Sequence, residues 1–198
     1  MNEKYEITDI AHTEYPWLHR IRALRDIRDD VHAGDLGGFI ESEQNLSMED
    51  SCWLYDGAIV CEKARAAEQS TLRDGAMACG HALVSGDTQL SRGALVTDNA
   101  HVAAGVICGL AVISGNAEIR RDPQSGGTPT IKNDTAVYGV VVGNVEITGF
   151  YELQAGEKIV NHSKDVLSLH ADEFTGCLMP PRFPKRPREM MKRSDPER

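Results

Sequence analysis

Five acidic residues, Asp50, Asp56, Glu62, Glu68 and Asp74, recur at intervals of six along the chain. Such carboxylates could start all the edges of one fold as acidic, either as a solvated surface that blocks edge-to-edge association or as a phosphate-mimicking, Arg-recruiting surface. Cys61 and Cys79 stand eighteen residues apart, and the histidines His81 and His101 fall in the same stretch. The five cysteines are odd in number and form no C-x-x-C pair, which argues against a disulfide scaffold or a thiolate zinc site. G-x-S-x-G, Walker A, H-E-x-x-H and the dinucleotide fingerprint are all missing from the sequence. What chemistry these residues can do therefore depends on what a six-residue interval builds.

Counting by six from Leu54 meets Leu54, Val60, Ala66, Leu72, Ala78, Val84, Leu90, Val96 and Val102. Two positions before each stands a small residue: Cys52, Ala58, Ala64, Ser70, Ala76, Ala82, Thr88, Ala94 and Ala100. Small-x-aliphatic spacing predicts a very short strand with both side chains pointing inward, followed by a turn. One such unit cannot bury its own apolar pair, so three must close a triangular coil of eighteen residues and successive coils must stack. Like residues then lie over like, as in the columns Ala58/Ala76/Ala94 and Leu54/Leu72/Leu90. Glycine at Gly57, Gly75 and Gly93 serves corners where the backbone turns with positive φ. The register slips near Gly105–Gly109, and DPQSGG (122–127) interrupts it, which predicts an extruded loop at about 121–128.

These hexads resemble the hexapeptide repeat of left-handed parallel β-helix proteins, many of them trimeric acyltransferases. The stretch LHRIRALRDI…GDLGGFIESEQNLS (18–47) resembles more narrowly a group of phage and enterobacterial hexapeptide-repeat proteins named as transferases. The resemblance implies a left-handed coil, trimeric assembly and, for an enzyme, a histidine general base with acyl-CoA lying between subunits beside an extruded loop. His81, at a corner, and His101, on a face nearer the loop, are the candidates for that base. The sequence departs from the acetyltransferases after its last coil, running into GFYELQAGEKIVNH where they have a Gly-rich, Pro-containing ending. A zinc carbonic-anhydrase site, also known in this fold, needs three histidines including a close pair, which His81 and His101 do not supply. No metal is expected.

Residues flanking each inward aliphatic should face outward. One face then carries Trp53, Tyr55, Thr71, Arg73, Gln89 and Ser91; a second Ile59, Cys61, Met77, Cys79, Leu95 and Thr97; a third Arg65, Ala67, Leu83, Ser85, His101 and Ala103. The apolar second face, with Ile59, Cys61, Met77, Cys79 and Leu95, reads first as a subunit interface, next as a partner-binding groove, and last as a face covered by the chain's own C-terminal segment. Cys61 and Cys79, about 4.8 Å apart if one coil separates them, point alike and read as packed thiols.

Net charge is −9, but residues 178–198 hold seven Lys/Arg against three Asp/Glu, leaving 14 basic and 27 acidic residues, a balance of −13, on the other 177. That body argues against nucleic-acid binding, while the basic tail alone could contact it. Neither a membrane span nor a secretory signal is present in the sequence, and a cytoplasmic protein, in a host cell if phage-encoded, is the expectation. The expected organisation is all-β: an N-terminal cap over 1–33, a single-stranded left-handed parallel β-helix over 34–155 whose stack ends near Phe150, a C-terminal cap segment over 156–177 and a basic, Pro-rich, disordered tail over 178–198. Within the cap segment, 163–175 reads as a short helix begun by Ser163, with an extended segment as runner-up. The expected function is a non-catalytic binding or interaction protein of phage or prophage type that inhibits or sequesters a host factor, without a cofactor. The alternative is an acyltransferase using acetyl-CoA or another acyl-CoA.

Overall fold

The computed structural model describes residues 3–172, so Cys177 and the basic tail lie outside the described residues. Small-x-aliphatic hexads do form two-residue strands, and each strand pairs in parallel with the strand three further along, so the chain winds into a β-solenoid of about seven turns. Three sheets result. The first face stacks Trp53–Leu54, Thr71–Leu72, Gln89–Leu90, Val106–Ile107, Thr130–Ile131, Val145–Gly149 and Leu167–Ala171. The second runs from Leu36–Ile40 through Ile59–Val60, Met77–Ala78, Leu95–Val96, Val112–Ile113 and Ala136–Val137 to Glu152–Leu153. The third comprises Arg65–Ala66, Leu83–Val84, His101–Val102, Glu118–Arg120, Val140–Gly143 and Lys158–Asn161.

Burial follows the hexad. Leu54, Val60, Leu72, Val84, Leu90, Val96 and Val102 have no exposed surface, and neither do Ala58, Ala64, Ala76, Ala94 and Ala100. Rungs are in register at eighteen residues, Ile59 over Met77 and Met77 over Leu95, until the five-residue unit shortens the repeat so that Gln89 stacks on Val106. Residues 121–129 then bulge between Glu118–Arg120 and Thr130–Ile131. The bulge is closed on itself by Asp122 and Gly127: Asp122 N–H donates to Gly127 O at 2.9 Å and Gly126 N–H to Asp122 O at 2.9 Å.

Two expectations change. Stacking continues beyond Phe150, because Leu153, Ile159 and Leu169 sit over Val137, Val141 and Ile147. The described part of 163–175 contains the strand Leu167–Ala171 in place of a helix. Leu167 and Leu169 alternate with Ser168 and His170, and an available parallel edge at Val145–Gly149 captures that period-two pattern. At the other end, Tyr5–Ala11 and His19–Ala23 pair antiparallel with each other, and the latter pairs with Leu36–Ile40, so a hairpin covers the start of the second face's sheet. Lys4, at its base, is buried with Nζ donating to Ser47 O at 2.7 Å and to Cys52 Sγ at 3.3 Å; desolvation lowers its pKa.

Candidate functional site

The corners explain the acidic interval. Asp56, Glu62, Glu68 and Asp74 all turn with positive φ, between 46° and 59°. A corner N–H cannot reach the flat ladder of the sheet, and along two of the three edges a carboxylate from the coil above accepts it. Glu41 Oε2 accepts Glu62 N–H at 2.9 Å, Glu62 Oε2 accepts Gly80 N–H at 2.7 Å, and Asp98 Oδ2 accepts Gly115 N–H at 3.1 Å. On the next edge Asp50 accepts Glu68 N–H at 3.0 Å and Glu68 accepts Gly86 N–H at 2.7 Å. Three of the five carboxylates singled out in the sequence, Asp50, Glu62 and Glu68, thus hold adjacent coils together. Asp56 and Asp74 are exposed on the remaining edge.

The apolar second face is not open. Ile59, Cys61, Cys79 and Leu95 are buried with Leu18, and Tyr15, Trp17 and Phe39 pack onto the same cluster beside Met77. The cover is the chain's own N-terminal segment and not, as the least favoured alternative had it, the C-terminal one. A subunit interface on Ile59, Cys61 and Leu95 is therefore replaced by an intrachain contact, made because aromatic residues at 15 and 17 bury more apolar area there than hydration would leave them. Cys61 and Cys79 are free thiols. Burial pushes both upward, and the Cys79 Sγ donates to Thr97 Oγ1 at 3.2 Å.

His81 is exposed at a corner. His101 is half-buried on the third face between Leu83 and Glu118, with Nε2 3.1 Å from Ser85 Oγ. Among the described residues no carboxylate hydrogen-bonds to either imidazole. Among the described residues no group of three His, Cys, Asp or Glu could hold a metal ion, and no helix is long and apolar enough to cross a membrane.

A different histidine has a carboxylate behind it. Asp122, at the base of the 121–129 bulge, has no exposed surface; its Oδ1 lies 2.9 Å from His162 Nδ1, and its Oδ2 accepts from Ser125 N–H at 2.7 Å and Ser125 Oγ at 2.8 Å. The Asp-Pro-Gln-Ser stretch carries a readable turn signal, an aspartate bonding the backbone a few residues on. Its partner His162, forty residues away, had none. Column geometry supplies the link: Arg120 pairs with Val142 and Val142 with Val160, so Asp122 lies two coils above His162. Gly143 lies between them, and a Cβ there would sit 3.2 Å from Asp122 Cβ and 2.0 Å from Asn161 O. The missing side chain leaves the passage through which the carboxylate reaches down.

The Ser125 backbone N–H, with His162 and the Ser125 hydroxyl behind it, holds the Asp122 carboxyl at about 2 against the upward push of burial. A folded-state value below the unfolded 3.8 means that the unfolded chain takes up the proton first as pH falls. The stability Asp122 contributes is thus complete above pH ~4 and lost toward pH ~2. In urea melts the gap between wild type and Asp122→Asn should close over that interval; a gap constant with pH would contradict it. No protein-family model matches this chain, and no curated protein matches it either.

Proposed function

We propose that this chain acts by binding rather than by acyl transfer, as a left-handed, homotrimeric interaction protein of phage or prophage type that holds a host protein in the cytoplasm. One observation carries the reading: the second face is roofed by the N-terminal segment, the first is contacted near its start by Arg28 and Asp30, and no described segment roofs the third. Arg65, Leu83, His101, Glu118, Val140 and Lys158 form one in-register row along it. A rigid flat row that mixes half-buried apolar side chains with both signs of charge has the composition of a protein-recognition surface. The acyltransferase reading loses support because His101 meets a serine hydroxyl, with no carboxylate among the described residues hydrogen-bonded to it as an orienting partner.

Multi-angle light scattering tests the assembly. Wild type should weigh three chains and Leu83→Glu/Val140→Glu one, since each substitution would bury an unpaired charge in the contact. A single-chain wild type, or a double variant of unchanged mass, would contradict the reading.

A further inference from the structure

We propose that His162, oriented by Asp122, is a general base that activates water against activated acyl esters, an activity separate from recognition by the third face. Six of the seven histidines meet a polar partner, and those partners differ. His12 Nδ1 accepts the Glu14 and Tyr15 backbone N–H groups, His19 Nδ1 lies 3.1 Å from Thr8 O, and His101 meets Ser85. His32 and His170 pair with Asp26 and Asp172, whose side chains are 73% and 86% exposed. His162 leans on a carboxylate that is 0% exposed while its own ring is 58% exposed. A buried anion fixed against a solvent-facing imidazole is the arrangement that orients a base toward a ligand.

An ionised Asp122 can only accept, so His162 Nδ1–H donates, and in the neutral ring the lone pair resides on Nε2. No hydrogen bond joins Nε2 to the described residues. The turn that bears His162 is itself pinned: Asn161 Nδ2 donates to Asn144 O at 2.8 Å and to Asp165 O at 2.7 Å, Ser163 N–H donates to Asn161 Oδ1 at 3.0 Å, and Asn144 Nδ2 donates to Lys164 O at 2.8 Å. The base therefore sits on a rigid support, which positioning of a reacting atom requires.

Nearby backbone donors are already engaged, Ser125 N–H with Asp122 and Gly127 N–H with Ser125 Oγ. They leave little stabilisation for a developing oxyanion, so the substrate must bring its own good leaving group, as an aryl ester does. In the step, Nε2 takes a proton from water while the water oxygen bonds to the acyl carbon. The bond from that carbon to the aryloxy oxygen breaks, its electron pair leaves with the phenolate, and the imidazolium returns the proton to solvent. The products are the carboxylic acid, the phenolate and the one proton released to solvent. Asp122 is a positioning residue in this scheme.

The test uses the full chain with p-nitrophenyl acetate, alongside His162→Gln, Asp122→Asn and the control His32→Gln. His162→Gln should lower the hydrolysis rate about 10²-fold, the low end for loss of a general base, while His32→Gln should match wild type. ¹⁵N NMR should find the His162 proton on Nδ1 in wild type and on Nε2 in Asp122→Asn, a signature that a purely structural aspartate would not move. Because the Gln amide can still donate to the Asp122 carboxylate, His162→Gln should melt close to wild type, and the wild-type spectrum is decisive even if Asp122→Asn fails to fold. Equal rates for wild type and His162→Gln, or a wild-type proton on Nε2, would overturn the proposal. Either result leaves the light-scattering mass unaffected, so the failure of this site and of the binding reading are separable.

Discussion

Gly86→Ala should unfold the solenoid or weaken it by more than about 3 kcal/mol, whereas Gly75→Ala should cost only about 1 kcal/mol. Both glycines turn corners with nearly the same backbone, φ +61° and +73°, so the intrinsic penalty for a side chain is similar. Space separates them. A Cβ at position 86 would lie 1.9 Å from Ala103 O in the next coil, while at position 75 it would meet nothing within 4 Å. Backbone must move to relieve the first clash, and Gly86 is held from above by the Glu68 carboxylate on its N–H and by Gln69 N–H on its carbonyl. Urea melts of the two variants should differ by more than a factor of two in stability lost. Equal losses would mean that the corners are set by φ alone and that the coils are not closely stacked.

Ala76→Leu is the second large effect. Ala76 has no exposed surface and belongs to the column Ala58/Ala76/Ala94. Adding three carbons to a packed interior usually costs about 1–3 kcal/mol through strained rotamers and displaced backbone. The upper end applies here, since coils cannot part without losing hydrogen bonds such as Ile59 N–H to Ala76 O at 3.0 Å and Met77 N–H to Ala94 O at 2.9 Å. The same substitution chemistry on the exposed rung residue, Gln89→Leu, should stay within about 0.5 kcal/mol. A thermal midpoint for Ala76→Leu equal to wild type would contradict the inward assignment of the small residue in each hexad.

Those two positions show what the sequence makes legible. A six-residue unit with one small and one aliphatic inward residue repeats until the chain has no freedom about which side chains face in, so the three faces and their rows follow from counting. Legibility fades where the local rule is broken. Leu153 and Ile159 keep the interval of six after Ile147, but Tyr151 and Glu157 occupy the positions two before them, where a small residue is the signal. The last described coil tolerates large residues there because no described coil stacks beneath it. The N-terminal cover was invisible for another reason: Tyr15, Trp17 and Leu18 have no period, and only the assembled second face gives them a surface to bury against. The acidic interval was legible as a pattern but not as a cause, since the corner N–H groups of the next coil that Asp50, Glu62 and Glu68 accept come within reach only once the coils are stacked. Asp122 and His162 meet through an insertion that shifts the register and a glycine that opens the way, neither of which spacing alone can convert into a contact.

Isothermal calorimetry with acetyl-CoA tests most directly whether the chain binds partners or transfers acyl groups from a coenzyme donor. Among the described residues neither histidine of the repeat has a carboxylate behind it, and none of them roofs the row containing His101. No saturable heat is expected up to about 1 mM acetyl-CoA, the upper end of ordinary substrate affinities. Saturable binding below that concentration, together with acyl transfer that His101→Ala abolishes, would contradict it.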